Sequence, residues 1–312
     1  MNLRKVEIVT PVYNRREETL QCLRSLARID KTGVQVHIIV VDDGSTDGTA
    51  DAVRAAFPDV EIVRGDGNLW YTAGTNRGIK AALRHDPDYI LAINNDSIFD
   101  EQCMLRMIES AEKYPRSVVG ALLLDWSEPH RIFQVAPRWE LLRGGYRHWF
   151  RQTVWTIPDR PFEVGLIVGN CVLYPVEAIR EVGLMDERHL PQFGDAEYTP
   201  RMRRAGWRLI IEPRARTFCK PNDPASGFRQ LPVAEKFKLF FFDPFSPYSF
   251  QRRFFGSLGG APNRLEGLLA IPIYYLRLLI GRNTEGLWAL QQDEEPLSKT
   301  YSSAVLDDRK PT

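Results

Sequence analysis

The sequence contains little cysteine, and its four cysteines stand far apart. Cys22, Cys103, Cys171 and Cys219 form no C-x-x-C pair, so neither a zinc site nor a redox motif is indicated. The first residues, Met1–Lys5, carry no apolar targeting stretch. Scattered thiols without such a stretch are typical of a reducing compartment, and we expect a cytoplasmic protein.

Net charge and long apolar runs are also lacking. The net charge is +1 over 312 residues, so no field marks the chain as a nucleic-acid binder, and we expect no nucleic-acid partner. The longest apolar run, Leu268–Ile280, is interrupted by Pro272 and Arg277 and is too short to span a bilayer. The 44% hydrophobic and 26% charged residues are typical of a globular protein.

Strand-like and helix-like segments alternate in the first half of the chain. Apolar runs that predict strands lie at Val6–Val9, Val36–Val41, Val60–Val63 and Tyr89–Ile93. Helical spacing between them implies right-handed crossovers, and therefore an α/β fold with a mainly parallel central sheet flanked by helices.

The second half of the chain is less regular. Residues 125–161 show no clear periodicity, which we interpret as long loops or short edge strands. Leu231–Phe242 and Leu265–Ile280 have the spacing of amphipathic helices, separated by turns that contain proline and glycine. We therefore predict two parts, a nucleotide-binding domain over residues 1–222 and a C-terminal helical extension with a polar tail over residues 223–312.

Polar residues follow three of the predicted strands. Pro11–Asn14, Asp42-Asp43 and Asn94-Asn95-Asp96 each lie where a strand ends. Ligand sites in parallel sheets lie beyond the carboxyl ends of the strands. The sequence therefore predicts that these groups converge at one edge of the sheet and form a site there.

The acidic residues allow two interpretations each. Asp42 and Asp43 suit a turn or helix cap, but a carboxylate there also accepts hydrogen bonds from a base or ribose. Asn94-Asn95-Asp96 suits a turn, or the oxygen ligands that Mg²⁺ and Mn²⁺ prefer. Asp195 and Glu197 are favourably placed at a helix N-terminus, or one of them is a general base. Spacing alone leaves these alternatives open.

Taken together in order, the motifs resemble the family 2 inverting glycosyltransferases, which have the GT-A fold. The resemblance covers residues 3–220 and extends to a subgroup of bacterial rhamnosyltransferases. The matching stretches are Val9–Arg15, Val40–Thr49, Gly67–Gly78, Asn94–Asp96, Gly169-Asn170, Val182–Glu187 and Asp195–Gly206.

This resemblance implies a role for each matching position on the donor side. The implied nucleotide-sugar-binding residues are Pro11, Tyr13, Asp42, Asp43, Asn76, Asn94 and Asn95. Among them Asp43 contacts the base, Asp42 supports its loop, and Asn76 faces the donor. Asp96 binds the Mg²⁺ or Mn²⁺ ion that bridges the diphosphate. The donor implied is a UDP- or dTDP-sugar.

On the acceptor side, Asp195 matches the catalytic base, and Gly169, Asn170 and Glu197 match positions that face the acceptor. The resemblance implies that Asp195 removes a proton from an acceptor hydroxyl as its oxygen attacks the anomeric carbon. One displacement inverts that carbon, with no covalent enzyme intermediate. The acceptor implied is a glycan or lipid-linked glycan of cell-surface polysaccharide or glycolipid synthesis.

Two positions depart from the family pattern of the metal site. Asn95 stands where many relatives have a second aspartate, and the segment Thr217–Asp223 lacks the usual metal-binding histidine. Asn222 or Asp223 is a candidate substitute, and Lys220 is a candidate to stabilise the diphosphate directly.

Two other functions compete with this interpretation. A nucleotidyltransferase would usually have a glycine-rich phosphate loop after the first strand, where this chain has Thr10-Pro11-Val12-Tyr13. An inactive nucleotide-sugar-binding module of the same fold would be expected to lose Asp96 or Asp195, and both are present.

The C-terminal helices also allow two interpretations. Apolar residues near Arg252, Arg253 and Arg277 are typical of a helix that lies on a membrane surface, here the inner face of the plasma membrane. Alternatively, the same residues pack against the catalytic domain or against a second subunit in a homo-oligomer.

Overall fold

The computed structural model describes residues 3–149, 152–220, 231–243, 245–246 and 248–280. Within these ranges the chain forms an 11-stranded sheet with helices on both faces. The strands are β1 (Arg4–Val12), β2 (Val34–Asp42), β3 (Glu61–Arg64), β4 (Tyr89–Ile93), β5 (Ser97–Phe99), β6 (Ser117–Asp125), β7 (Ile132–Glu140), β8 (Gly145–Trp149), β9 (Phe162–Glu163), β10 (Cys171–Pro175) and β11 (Arg208–Cys219). The helices are α1 (Arg16–Arg28), α2 (Thr49–Ala56), α3 (Trp70–Ala82), α4 (Cys103–Lys113), α5 (Val176–Val182), α6 (Asp195–Arg204), α7 (Val233–Phe241), α8 (Phe250–Gly260) and α9 (Arg264–Leu279).

The sheet is parallel in its first half and mixed in its second. Its main order is β3-β2-β1-β4-β10-β6-β11-β5, and neighbours among the first four strands are parallel, as predicted. β10 is antiparallel to both β4 and β6 and so joins this half to the parallel pair β6 and β11. Ile8, Ile39 and Val40 are fully buried, because both faces of the sheet are covered by helices.

Residues 125–161 contain more strand than the sequence predicted. β7 is nine residues long and pairs with both β6 and β8. Register shifts at Leu123/Leu124 and between Val135 and Arg138 interrupt the alternation of side chains between the two faces. This interruption explains why periodicity alone did not reveal the strand.

The extension contains α7 and α9, as predicted, and also α8, which was not predicted. Two glycines near the end of α8 read as turn residues in the sequence. In the structure they permit close packing on α6, since a Cβ at Gly259 would lie 2.0 Å from Glu197 Cγ and one at Gly260 2.9 Å from the Ala196 carbonyl.

The predicted boundary at residues 222 and 223 and the polar tail lie outside the described residues. No helix in the described ranges has the length and hydropathy to cross a membrane.

Candidate active site

An open pocket of about 410 Å³ lies where β1, β2 and β4 end. Nine of the predicted site residues line it: Pro11, Tyr13, Asp43, Asn94, Asn95, Asp96, Gly169, Asn170 and Asp195. The remaining three, Asp42, Asn76 and Glu197, do not appear among its lining residues. The strand ends therefore converge as the sequence predicted, and they meet the N-terminus of α6 across the pocket.

Asp43 organises the loop that forms one wall of the pocket. One carboxylate oxygen accepts a hydrogen bond from the Gly67 amide at 2.8 Å, and the other accepts from the Leu69 and Trp70 amides at 2.9 and 3.2 Å. The loop approaches so closely that a Cβ at Gly65 would lie 2.5 Å from Asp43 Oδ1. A buried carboxylate with three amide donors is a fixed acceptor, and it holds the start of α3 against the end of β2.

Asp42 has the loop contact expected of it, whereas Asn76 has structural contacts in place of the donor contact that the resemblance implied. Asp42 Oδ1 accepts from the Ser45 amide at 3.0 Å, which closes the turn after β2. Asn76 is buried, and its amide donates to the Met185 carbonyl at 3.0 Å and to Glu187 Oε2 at 2.7 Å, while its Oδ1 accepts from the Met185 amide. Because these bonds use both ends of its side chain, Asn76 ties α3 to the segment before α6 and does not face the pocket.

Asp96 lies beside a cation that the sequence analysis did not single out. Arg15 Nη1 donates to Asp96 Oδ2 at 2.5 Å. Lys220, on the segment after β11, also lines the pocket, with its ammonium 3.9 Å from Glu18 Oε1. Two cations therefore border the side of the pocket that holds the Asn94-Asn95-Asp96 motif, and that side suits the negative charge of a diphosphate.

The motif offers oxygen ligands of the kind that a divalent cation needs. Asn94 Oδ1 is buried and has no hydrogen-bond partner, and Asp96 supplies the carboxylate. Asn95 Nδ2 donates to Thr19 Oγ1 at 3.0 Å and so anchors the motif to α1. One carboxylate and one free amide oxygen fit Mg²⁺ or Mn²⁺ whose other ligands are phosphate and water. The candidate substitutes Asn222 and Asp223 lie outside the described residues.

The described residues contain one other group of possible metal ligands, and this group lies outside the pocket lining. Glu7, His37 and His85 bring their ligand atoms within 4.8 Å of one another, but none of them lines the pocket. Glu7 Oε2 lies 2.7 Å from His37 Nδ1, which is a hydrogen-bond distance. His85 Nδ1 lies 3.2 Å from the other oxygen, Glu7 Oε1, so each histidine already has a carboxylate partner within the cluster.

Asp195 lies opposite the strand ends, at the first residue of α6. Its Oδ2 accepts a hydrogen bond from the Gly169 amide at 2.9 Å, and Tyr71 Oη donates to the Gly169 carbonyl at 3.1 Å. Burial raises the pKa of the Asp195 carboxyl above its ordinary value, while the amides of Gly169 and Ala196 and the charge of Arg252 oppose that rise. A fixed carboxylate with a raised pKa is suited to accept a proton.

Glu197 lies behind the pocket wall. Its Oε1 pairs with Arg201 Nε at 2.8 Å, and its methylene groups pack against Gly259 of α8. Burial raises the pKa of its carboxyl, and the positive charge of Arg201 opposes this. The geometry assigns Glu197 to the contact between α6 and α8, whereas the resemblance implied the acceptor side.

Sequence reasoning missed four aromatic residues that line the pocket, Trp70, Tyr71, Phe133 and Phe193. Trp70 is 46% exposed and stacks on Phe245 with ring centroids 4.0 Å apart. Its φ of 56° is unusual for a bulky residue, and such backbone strain is often found at ligand sites. The run Gly67-Asn68-Leu69-Trp70 was visible in the sequence, but no periodicity signalled that Trp70 faces a ligand.

The sequence model described as glycosyl transferase family 2 matches residues 7–183, which is more than half of the chain. The chain belongs to glycosyltransferase family 2. The match ends before Asp195, so the base position is supported by the geometry above and not by the extent of this match. The nucleotidyltransferase and the inactive binding module are set aside, since family 2 members are sugar-transferring enzymes and both Asp96 and Asp195 line the pocket.

One named relative and two solved structures are similar to this chain. The N-acetylglucosaminyl-diphospho-decaprenol L-rhamnosyltransferase of Mycobacterium tuberculosis is 28% identical over 218 residues, which is 61% of this chain and 70% of the relative. TarS of S. aureus, residues 1–349, superposes with a TM-score of 0.54 at 15% identity, covering 89% of this chain and 73% of that chain. GalNAc-T7, solved with UDP, GalNAc and Mn²⁺, gives a TM-score of 0.56 at 9% identity, covering 90% and 58%. These structural matches establish the GT-A fold.

Proposed function

We propose that this chain transfers a sugar from a UDP- or dTDP-sugar to a hydroxyl of a glycan or lipid-linked glycan acceptor, with inversion at the anomeric carbon. The observation that carries the proposal is the position of Asp195, which is fixed by the Gly169 amide and lines the same pocket as Asp96. A rhamnosyl group is the first candidate for the transferred sugar, since the mycobacterial relative is named a rhamnosyltransferase.

The donor end of the pocket supplies a stacking surface, a rigid wall and positive charge. Tyr13 is 56% exposed and presents its ring to the pocket beside Pro11, and Trp70 presents a second ring. A nucleobase stacks favourably on such surfaces. Arg15 and Lys220 then lie where they attract the diphosphate, which holds the anomeric carbon toward Asp195.

Asp96 and Asn94 Oδ1 are the residues that would hold Mg²⁺ or Mn²⁺. When bound, the ion offsets the negative charge that develops on the departing diphosphate. Arg15 contacts only Oδ2 of Asp96, so Oδ1 would be the oxygen available to the ion while the guanidinium stays beside the diphosphate site. The Mn²⁺ in the GalNAc-T7 structure supports this assignment by analogy of fold.

Asp195 acts as general base. It accepts the proton of the acceptor hydroxyl as the oxygen of that hydroxyl bonds to the anomeric carbon and the bond from that carbon to the diphosphate breaks. The Gly169 amide holds the carboxylate in place during this transfer. Attack from the face opposite the diphosphate inverts the anomeric configuration.

A screen of nucleotide sugars by thermal shift, with and without Mn²⁺, tests the donor assignment. At a fixed concentration, donors that occupy the pocket raise the melting temperature more the tighter they bind, since the stabilisation grows with the logarithm of ligand concentration over Kd. We expect UDP- or dTDP-sugars to raise it more strongly with Mn²⁺ than without it. The anomeric configuration of the product, read by NMR, tests inversion. No shift with any UDP- or dTDP-sugar, or a retained configuration, would contradict the proposal.

We also propose peripheral contact with a membrane, because α7 and α9 leave an apolar surface exposed. The exposed residues on and beside these helices are Val233, Phe237, Phe241, Phe242, Leu265, Leu268, Leu269, Leu276, Leu279 and Ile280. Phe237 lies within 4.7 Å of Phe241 and 5.9 Å of Phe242 between ring centroids, so the three rings form one patch. Arg252, which the sequence analysis placed beside this surface, is buried, but Lys238 of α7 and Arg264 of α9 are exposed. An apolar patch with such basic residues on the same helices is suited to the headgroup region of an anionic bilayer.

Flotation with phosphatidylglycerol vesicles tests this contact. Serine at Phe237, Phe241 and Phe242 should abolish flotation, whereas serine at the exposed Leu142 and Trp155, which lie outside both helices, should not. Equal flotation of all three proteins would contradict membrane contact. A concentration-dependent mass in sedimentation, removed by the same triple substitution, would instead assign the patch to a homo-oligomer.

A further inference from the structure

A second, smaller pocket of about 100 Å³ adjoins the donor pocket beyond Asp195. The two pockets share Val168, Phe193 and Asp195 in their linings. A general base must contact the acceptor hydroxyl while it faces the donor. Among the described lining residues, Asp195 is the one polar residue that the two pockets share. The second pocket is therefore on the side from which the acceptor must approach.

This second pocket contains buried polar atoms that have no hydrogen-bond partner in the described part of the chain. The buried side-chain atoms on its lining residues without a hydrogen-bond partner are Gln134 Oε1, Trp139 Nε1, Arg252 Nη1, Arg252 Nη2, Arg253 Nε and Ser257 Oγ. Native proteins leave few buried polar groups unpaired, because each such group has lost its hydrogen bonds to water without replacing them. Six such atoms around one small space indicate that a polar ligand completes the site.

Arg252 is the central group of this set. It is 6% exposed, and its guanidinium stacks on Phe193 with its Cζ 3.1 Å from the ring centroid. Neither Nη atom has a hydrogen-bond partner, and no carboxylate of the described residues forms an ion pair with it. A buried guanidinium is rarely left without an anion, because desolvation of its charge is costly.

The charge of the pocket favours an anionic ligand. Arg252 and Arg253 bring two positive charges, and Asp195 is the one carboxylate among the described lining residues. Burial lowers the pKa of the Arg252 guanidinium to about 9, so it is protonated at neutral pH. Burial lowers the pKa of the His148 imidazole to about 4, so this neighbour is neutral. One positive charge remains uncompensated.

We infer that the second pocket is the acceptor subsite and that Arg252 binds an oxyanion carried by the acceptor, a phosphoryl or a carboxylate group next to the sugar that is glycosylated. The guanidinium fork matches the oxygens of either group, and Ser257 and Trp139 add further donors. This inference rests on the proposed function for the identity of the base. It goes beyond it by naming the chemical class of acceptor.

Equilibrium binding tests the inference without relying on turnover. The donor pocket is first filled with UDP or dTDP and Mn²⁺, so that anionic probes cannot occupy it. Calorimetry then compares N-acetylglucosamine, its 1-phosphate, glucuronic acid and inorganic phosphate. We expect at least one charged sugar to bind about 10- to 100-fold more tightly than the neutral sugar, the gain typical of hydrogen bonds to a charged group. The two charged sugars distinguish phosphoryl from carboxylate recognition.

Variants then assign the preference to Arg252. Arg252→Gln should bind charged and neutral sugars alike, Arg252→Lys should keep part of the preference, and Arg264→Gln, an exposed arginine at the start of α9, should keep all of it. The thermal shift caused by UDP or dTDP verifies that each variant is folded.

Three outcomes would overturn the inference. They are equal binding of charged and neutral sugars by the wild type, an unchanged preference in Arg252→Gln, and tighter binding of inorganic phosphate than of any charged sugar. The first needs no variant, so the test holds even if Arg252→Gln fails to fold. Absence of sugar transfer with every donor would refute the proposed function instead, and the binding preference would still be measured separately.

Discussion

Gly169 is the position where adding one methyl group should damage catalysis most. A Cβ at this residue would lie 2.2 Å from Tyr71 Oη, 2.8 Å from Asp195 Cβ and 3.2 Å from Asp195 Cγ. Its backbone amide also donates the hydrogen bond that fixes Asp195. The added methyl group of Gly169→Ala therefore clashes with Asp195 and Tyr71 at the same time. Neither contact is with the end of a long, flexible side chain that could rotate away.

The size of the effect follows from these distances. Ordinary contacts to a Cβ begin near 3.4 Å, so Tyr71 Oη or the Gly169 backbone must move by roughly 1 Å. A displacement of that size at a catalytic group costs about 10²-fold in rate. Overpacking of a buried site costs about 1–3 kcal/mol of stability. We expect kcat for nucleoside diphosphate release to fall by about two orders of magnitude, with a lower free energy of unfolding in urea.

A second substitution separates the two contacts. Tyr71→Phe in the Gly169→Ala background removes the hydroxyl at 2.2 Å but leaves the contact with Asp195 at 2.8 Å. The double variant should therefore recover most of the lost stability but only part of the lost rate, and a double-mutant cycle measures both couplings. Wild-type kcat and stability in Gly169→Ala, or a double variant no more stable than Gly169→Ala, would refute this reasoning.

Three further predictions concern the metal, the base and the loop. Asp96→Asn should raise the Mn²⁺ concentration for half-maximal transfer by at least about 10-fold, because it removes the one carboxylate of the Asn94-Asn95-Asp96 motif, and an unchanged Mn²⁺ titration would contradict this. Burial raises the pKa of Asp195 above the ordinary value of 3.8. As the pH is lowered, kcat/KM should therefore begin to fall at a higher pH than it would with an exposed aspartate as base. A pH profile of kcat/KM that is flat down to pH of about 4 would contradict this prediction. Asp43→Ala leaves the amides of Gly67, Leu69 and Trp70 without an acceptor, so the free energy of unfolding in urea should fall by about 2–3 kcal/mol. A loss below about 0.5 kcal/mol would count against the role of Asp43 in holding this loop.

The parallel half of the fold and its site were predictable from the sequence because their signals are local. Each buried strand is a short apolar run, and the polar residue that follows it marks the strand end. The rule that these ends meet at one edge then brings Tyr13, Asp43 and Asp96 together without any knowledge of tertiary contacts. Asp195 was found through the resemblance, since its spacing alone fitted a helix N-terminus equally well.

The remaining features depend on contacts between distant segments. Asn76 has the residue type of a donor ligand, but the segment around Met185 uses its hydrogen bonds, and no local pattern reveals that partner. The helix α8 was missed because its glycines resemble turn signals, whereas they permit contact with Glu197 and Ala196. In the sequence Arg252 was noted only as a basic residue that suits a membrane surface, whereas the structure buries it in the second pocket, because its burial and unpaired donors appear only in three dimensions.

The Asp195→Asn variant tests the central claim, that this carboxylate is the base. Asparagine has the same shape and keeps an oxygen for the Gly169 amide, so the pocket and the thermal shift caused by the donor should persist. Because the folded state raises the pKa of Asp195, its ionised form costs stability above that pKa, and the uncharged variant should melt no lower than the wild type at neutral pH.

Nucleoside diphosphate release in the presence of donor, acceptor and Mn²⁺ is the measurement. The account predicts that kcat of Asp195→Asn is at least about 10²-fold below that of the wild type, with donor binding unchanged. Equal release of nucleoside diphosphate by the two proteins would show that Asp195 is not the base.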